Sequence, residues 1–123
     1  MKAEEISLKY SALQPDGAVV AIEFNQEIAA TLVRLPDDPS LYFDLSEPHL
    51  LIPLEQLVNA RARERGIINA NRHMVAAAKC NLEKRKPLTV QSLDNDLWLV
   101  VDGNSTLVNA RLSSWRAIPC CMR

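Results

Sequence analysis

Aromatic residues make up only 5% of this 123-residue chain, so its core has to be built mainly from aliphatic side chains. No apolar run approaches the roughly 20 residues that a membrane span needs, and the start, MKAEEISLKY, lacks the apolar segment of a secretory signal. A cytoplasmic protein with no membrane partner is therefore expected. The three cysteines, Cys80, Cys120 and Cys121, are odd in number, with no CxxC spacing and no paired histidines. That argues against a disulfide framework and against a zinc site. Idle thiols are expected ahead of a redox pair at Cys120 and Cys121. His49 and His73 stand apart and outside any motif, so a histidine-based catalytic centre has little support.

What is present is an ordinary soluble composition, 48% hydrophobic, at a length that suits a single domain over 1–123. The net charge of −1 hides an asymmetry. Residues 1–60 carry ten acidic side chains against three basic ones, whereas residues 61–86 carry eight basic against two acidic. The second segment is either a solvated helix surface balanced by the acidic half or a face that binds anions.

The first half is the less legible. PDG at 15–17 signals a turn. Val20, Ile22 and Phe24 alternate as in a strand, with a helix to follow, though a single helix from about 18 to 35 fits nearly as well. The proline-rich stretch LPDDPSLYFDLSEPH reads as a connection pinned to the core by Leu41, Tyr42 and Phe43. From residue 50 the pattern sharpens. HLLIPLEQLV suits a strand ending in a turn or short helix, with Pro53 tolerable at a sheet edge. INANRHMVAAAKCNLEK is expected to be helical, with Asn69 as N-cap, Met74, Ala78 and Leu82 on one stripe, and EKRKP at its close. KPLTVQSL and LWLVVDG form two strands around the turn at Asp94-Asn95-Asp96. A helix follows Gly103, with Val108, Leu112 and Trp115 on one face, and AIPCCM ends the chain as a strand. The order after residue 50 is strand, helix, strand, strand, helix, strand. That is a compact α+β unit over 50–123 with packed helices, to which residues 1–48 add a portion of unclear structure.

The stretch from Asp102 to Thr106 is the candidate site. A helix N-terminus offers unpaired N–H groups and partial positive charge. Gly103 lets the backbone bend close to a ligand, Asn104 is suited to cap the helix, and Ser105 and Thr106 add hydroxyl donors. Those features suit a phosphate or carboxylate group. Plain helix capping uses the same residues. Asp102 would repel a bare phosphate unless it organises the loop or meets a Mg²⁺ ion carried by a nucleotide. In NARARERG, an extended backbone would set Arg61, Arg63 and Arg65 on one face, ready for bidentate contact with phosphate; in a helix they scatter.

LLIPLEQLVNARAR, a helix, and then KPLTV with LWLVVDGNSTLVNARLSSWRAIP together resemble the N-terminal domain of ParB-type proteins, in the superfamily shared with sulfiredoxin. The likeness spans about Leu50 to Pro119. It implies a ParB/sulfiredoxin-like α+β fold, a ligand box at Gly103, Asn104, Ser105 and Thr106, and a supporting Arg-x-Arg at Arg61 and Arg63. ParB-type boxes carry two arginines against nucleotide phosphates; none stands here, which argues against tight triphosphate binding and CTP hydrolysis. Sulfiredoxin has a catalytic cysteine in this turn; Asn104, Ser105 and Thr106 supply none, which argues against sulfinic acid reduction. The DGNS/T form looks like a variant found in ParB-like nuclease-type domains of phages and other mobile elements. No helix-turn-helix follows within the 123 residues, so any nucleic-acid contact is expected to lack sequence specificity. The resemblance implies a phosphate-binding domain, for a nucleotide or a nucleic-acid backbone. A metal-dependent nuclease or nucleotide hydrolase using Asp102 is the enzymatic alternative. A non-catalytic module, dimeric or binding a partner through its acidic half and SLYF, is the other.

Overall fold

The computed structural model describes residues 12–13, 19–20, 30–60 and 62–123. Two short strands, β1 (Ala12–Leu13) and β2 (Val19–Val20), pair antiparallel in register Ala12 to Val20. The extended Val19–Val20 rules out one continuous helix from 18 to 35. The turn at 15–17 and the helix expected next lie largely or wholly outside the described residues, and residues 30–35 form a turn and irregular chain.

The remaining strands build one mixed sheet. They are β3 (Leu50–Pro53), β4 (Leu57–Val58), β5 (Leu88–Ser92), β6 (Trp98–Asp102) and β7 (Ala117–Met122), in spatial order β3-β7-β5-β6-β4. Pro53 sits in β3, an edge strand, where its missing N–H interrupts no interior ladder. A 3-10 turn at Leu54–Gln56 joins β3 to β4 at the opposite edge. The hairpin between β5 and β6 turns through Asn95 and Asp96, both left-handed with φ of 62° and 60°. Short polar side chains tolerate that backbone best after glycine.

Two helices complete the unit, α1 (Glu64–Ala78) and α2 (Asn104–Leu112). The first starts five residues before the expected cap at Asn69, which lies exposed within it, and it ends before Leu82 and the EKRKP segment. Arg63, with β-region backbone, is its N-cap. Leu82 is 51% exposed, so it does not extend the buried stripe set by Ile67, Ala70, Met74 and Ala77. Arg85 instead bridges to Phe43, with Asp44 N donating to Arg85 O at 2.7 Å and Arg85 N to Tyr42 O at 2.8 Å.

That bridge explains how SLYF is held. Tyr42 and Phe43 are buried in the core, so they are not a surface for a partner. Burial, with smaller contributions from Asp38 and Asp37, pushes the Tyr42 phenol up to about 12, and its hydroxyl donates to Pro36 O at 2.8 Å. Cys120 is likewise buried, its thiol pushed up to about 12 by desolvation first and by Cys121 second. A thiol so far from ionisation is no nucleophile at neutral pH.

Both helices end in the same way. Cys80 N donates to Ala77 O at 3.0 Å and Asn81 N to Ala76 O at 2.9 Å; Ser114 N donates to Arg111 O at 3.1 Å and Trp115 N to Ala110 O at 3.0 Å. These are paired Schellman closures whose left-handed residue is usually glycine. Here it is Cys80, with φ 61°, and Ser114, with φ 58°. Replacing either by glycine is expected to relieve about 1 to 2 kcal/mol of left-handed strain, less about 0.4 to 1 kcal/mol from the freer unfolded chain. Calorimetry of Cys80→Gly and Ser114→Gly should each show a melting temperature higher by about 2 to 5 °C.

Candidate functional site

Strands β4 and β6 are neighbours and run parallel, Leu57 beside Trp98 and Val58 beside Leu99. Each leads into a helix, β4 through residues 59–63 into α1 and β6 through Gly103 into α2. Gly103 holds φ at 97°, and a Cβ there would lie 2.8 Å from Leu88 Cγ. Left-handed backbone and the packed Leu88 side chain together leave room for glycine only. The turn can thus lie flat on β5 while the chain reverses into α2.

The two helices also run parallel. Gly66, in the first turn of α1, faces Ser105, in the first turn of α2, so closely that a Cβ on Gly66 would stand 2.8 Å from Ser105 Oγ. Further along, Asn109 Nδ2 donates to Ile67 O at 3.0 Å, and Asn71 Nδ2 donates to Asn109 Oδ1 at 3.0 Å. Advancing along one helix is therefore advancing along the other, and both N-termini lie at the same end. No side chain caps either start: Gly103 has none to offer and Arg63 makes no capping bond. Two partial positive charges of about half a unit each meet there, outside the carboxyl ends of two parallel strands, where open α/β sheets generally place ligands.

The expected site residues divide sharply. Asp102, the last residue of β6, is exposed. Gly103, not Asn104, is the N-cap of α2. Asn104 is the first helical residue and turns inward: its Nδ2 donates to Val100 O at 3.0 Å, and its Oδ1 accepts from Ala60 N at 2.8 Å and Asn59 Nδ2 at 3.1 Å. Its side chain ties the two strand-to-helix crossings together and leaves little for a ligand. Thr106 is 1% exposed, so its hydroxyl is not at the surface, whereas Ser105 is half-buried. Arg63 is exposed at the head of α1. Arg61 lies outside the described residues. Arg65 belongs to α1, so the three arginines do not form one extended row.

Other residues at the site escape a reading of local pattern. Arg111, from the far end of α2, donates through Nε to Asn59 Oδ1 at 3.0 Å, through Nη1 to Leu54 O at 3.3 Å and through Nη2 to Leu57 O at 2.7 Å. It buttresses β4 from behind. Glu64, the first residue of α1, carries a buried Oε1 with no hydrogen-bond partner. A carboxylate is favoured there by the positive helix end.

Among the described residues no group of three or more His, Cys, Asp and Glu side chains could hold a metal ion. A groove of about 420 Å³ runs along α1, lined by Leu32, Val33, Ile68, Arg72, Val75 and Lys79 among others, away from the Gly103 turn. No helix among the described residues is long and apolar enough to cross a membrane.

No family model matches the sequence, and no curated protein matches it. Among solved structures the chain is similar to the crystal structure of sulfiredoxin from Arabidopsis thaliana, at 16% identity and a TM-score of 0.46, over 63% of this chain and 85% of that one. The likeness is one of strand and helix arrangement. What the site does has to be argued from its own residues.

Proposed function

We propose that this α+β chain binds a phosphate-bearing ligand at the paired N-termini of α1 and α2, without sequence-specific recognition. The observation that carries this reading is the side-by-side placing of two uncapped helix starts, joined at the Gly66–Ser105 contact. Backbone N–H groups aimed at one point suit the several acceptor oxygens of a phosphate. Arg63 adds an exposed positive charge, Ser105 a hydroxyl, and Gly103 the close backbone approach. Asn104 and Thr106 shape the turn from inside. A Mg²⁺ ion would enter with the ligand, held largely by its phosphates and water.

A ligand that binds only the folded chain raises the melting temperature, by about 2.7 kcal/mol of stability at a hundredfold excess over Kd. Pyrophosphate and nucleoside mono-, di- and triphosphates, each with and without Mg²⁺, are expected to include ligands giving shifts of several degrees. Arg63→Glu should remove the shift while leaving the unliganded melting temperature within about 1 °C, since an exposed charge away from a partner costs little. If none of these compounds shifts the wild-type chain, the reading fails and the paired helix starts are purely structural.

A further inference from the structure

The exposed residues of α1 and its C-cap are Arg65, Asn69, Arg72 and Lys79, and all others in the helix are buried or half-buried. Their spacing of four, three and seven places them on one narrow stripe, within about 40° of its mean direction at 100° per residue. The only acidic residue of α1, Glu64, is half-buried at its start, so the stripe carries three positive charges and no negative one. Among the described residues no carboxylate pairs with the side chain of Arg65, Arg72 or Lys79. From Arg65 to Lys79 the line is about 21 Å long, with cations about 10.5 Å apart, and it begins beside Arg63 at the paired helix starts.

We infer that this stripe is a nucleic-acid backbone surface, continuous with the proposed phosphate site, on which the inference rests for the chemistry of the ligand. Phosphates of one strand in duplex DNA follow each other at about 3.4 Å along the axis, so cations at this spacing meet roughly every third one. The intervening exposed residue, Asn69, and the half-buried Ala76 are small or polar. A protein partner takes most of its affinity from large apolar or aromatic anchors; the stripe residues themselves carry none, and the apolar side chains beside Arg72 and Lys79 are those of the groove with Leu32, Val33, Ile68 and Val75. A polyanion needs only the charge and releases counterions on binding. The stripe also bears no aromatic side chain on which a base could stack, which favours backbone contact over base recognition.

The test uses the full chain and fluorescence anisotropy with a mixed-sequence duplex and a single strand of about 20 nucleotides, between about 50 and 200 mM salt. The triple variant R65A/R72A/K79A is compared with wild type, and pyrophosphate thermal shifts are read in parallel. Wild type should bind at least one of the two nucleic acids. The triple variant should bind at least tenfold more weakly at the lowest salt, with a log–log salt slope smaller by about 2.7 on a duplex, or about 2.1 on a single strand. Its pyrophosphate shift should persist, and the charge-preserving R65K/R72K should bind nearly as well as wild type. Pyrophosphate binding without any nucleic-acid binding overturns the stripe and leaves the phosphate site standing. Nucleic-acid binding that the triple variant keeps overturns it too, as does stripe-dependent capture of an acidic peptide in place of nucleic acid. Stripe-dependent nucleic-acid binding without a pyrophosphate shift sustains the surface and overturns the small-phosphate site.

Discussion

At neutral pH, Asn109→Asp is expected to lose about 3 to 5 kcal/mol of stability, enough to unfold much of a domain whose total is on the order of 5 to 15 kcal/mol. Asn109 is 1% exposed. Its Nδ2 donates to Ile67 O at 3.0 Å and Ser105 O at 2.9 Å, and its Oδ1 accepts from Asn71. Asn71 in turn donates to Val33 O at 2.8 Å and accepts from Val33 N at 3.1 Å. Two asparagines thus join α1, α2 and the segment before the core. The aspartate fits the space, but a carboxylate oxygen then faces two carbonyl oxygens, and a charge is buried without a partner.

The pH dependence of that variant identifies the cause. Burial and the two carbonyls hold the folded carboxyl above its unfolded value of about 3.9. The unfolded chain therefore releases its proton first as pH rises. The charge penalty is absent below about pH 4, grows as pH rises toward the folded-state value, and stays constant above it. Urea denaturation at pH 4 and pH 7 should show the gap to wild type narrowing at the lower pH. Asn109→Ala, with bonds lost but no charge, should cost about 2 to 3 kcal/mol at both pH values. An aspartate variant as stable as wild type at pH 7 would mean that the asparagine network carries no structural burden.

The same network marks the boundary of what the sequence discloses. Four of the five strands from residue 50 onward announce themselves, because LLIP, LTV, WLVV and AIPCCM are apolar runs and Asp94-Asn95-Asp96 can hold the left-handed turn that glycine usually would; β4, only Leu57–Val58, is hidden in what reads as the turn or short helix after LLIP. Helix ends are hidden. With glycine at only three positions, the two Schellman closures fall on Cys80 and Ser114, which carry no such signal, and Arg63 is no usual cap. Local pattern therefore puts the start of α1 at Asn69, although Gly66 marks where the two helices touch. Asn104 reads as a cap because asparagine often is one, yet the backbone at Gly103 takes that place and frees the side chain to bridge Asn59 and Ala60. Partners separated by 38 to 57 residues, such as Asn71 with Asn109 or Arg111 with Leu54, leave no local period to detect. The site is legible as a turn, and illegible as a pair of helix starts, because parallel packing is a tertiary fact.

Trp115→Ala is expected to cost about 3 to 5 kcal/mol, through a cavity and an orphaned acceptor together. Trp115 is 4% exposed, stacked on Tyr42 with ring centres 5.2 Å apart and edge-on to Phe43 at 6.4 Å. Its Nε1 donates to Leu35 O at 2.8 Å, while Ser113 Oγ accepts from Leu35 N at 2.9 Å. The residue just past α2 thus clamps segment 33–43, whose aromatics fill the core beside it. In so aliphatic a core, little else nearby can close around the space a lost indole leaves. Trp115→Phe keeps most of the packing and removes the bond to Leu35, so it should cost about 1 to 2 kcal/mol. Urea denaturation measures both variants, and trypsin gives a second readout at exposed Arg34. If the clamp acts as described, cleavage there quickens in Trp115→Ala under conditions where the rest of the chain is still folded, and equal cleavage in variant and wild type would mean that the segment is held without Trp115.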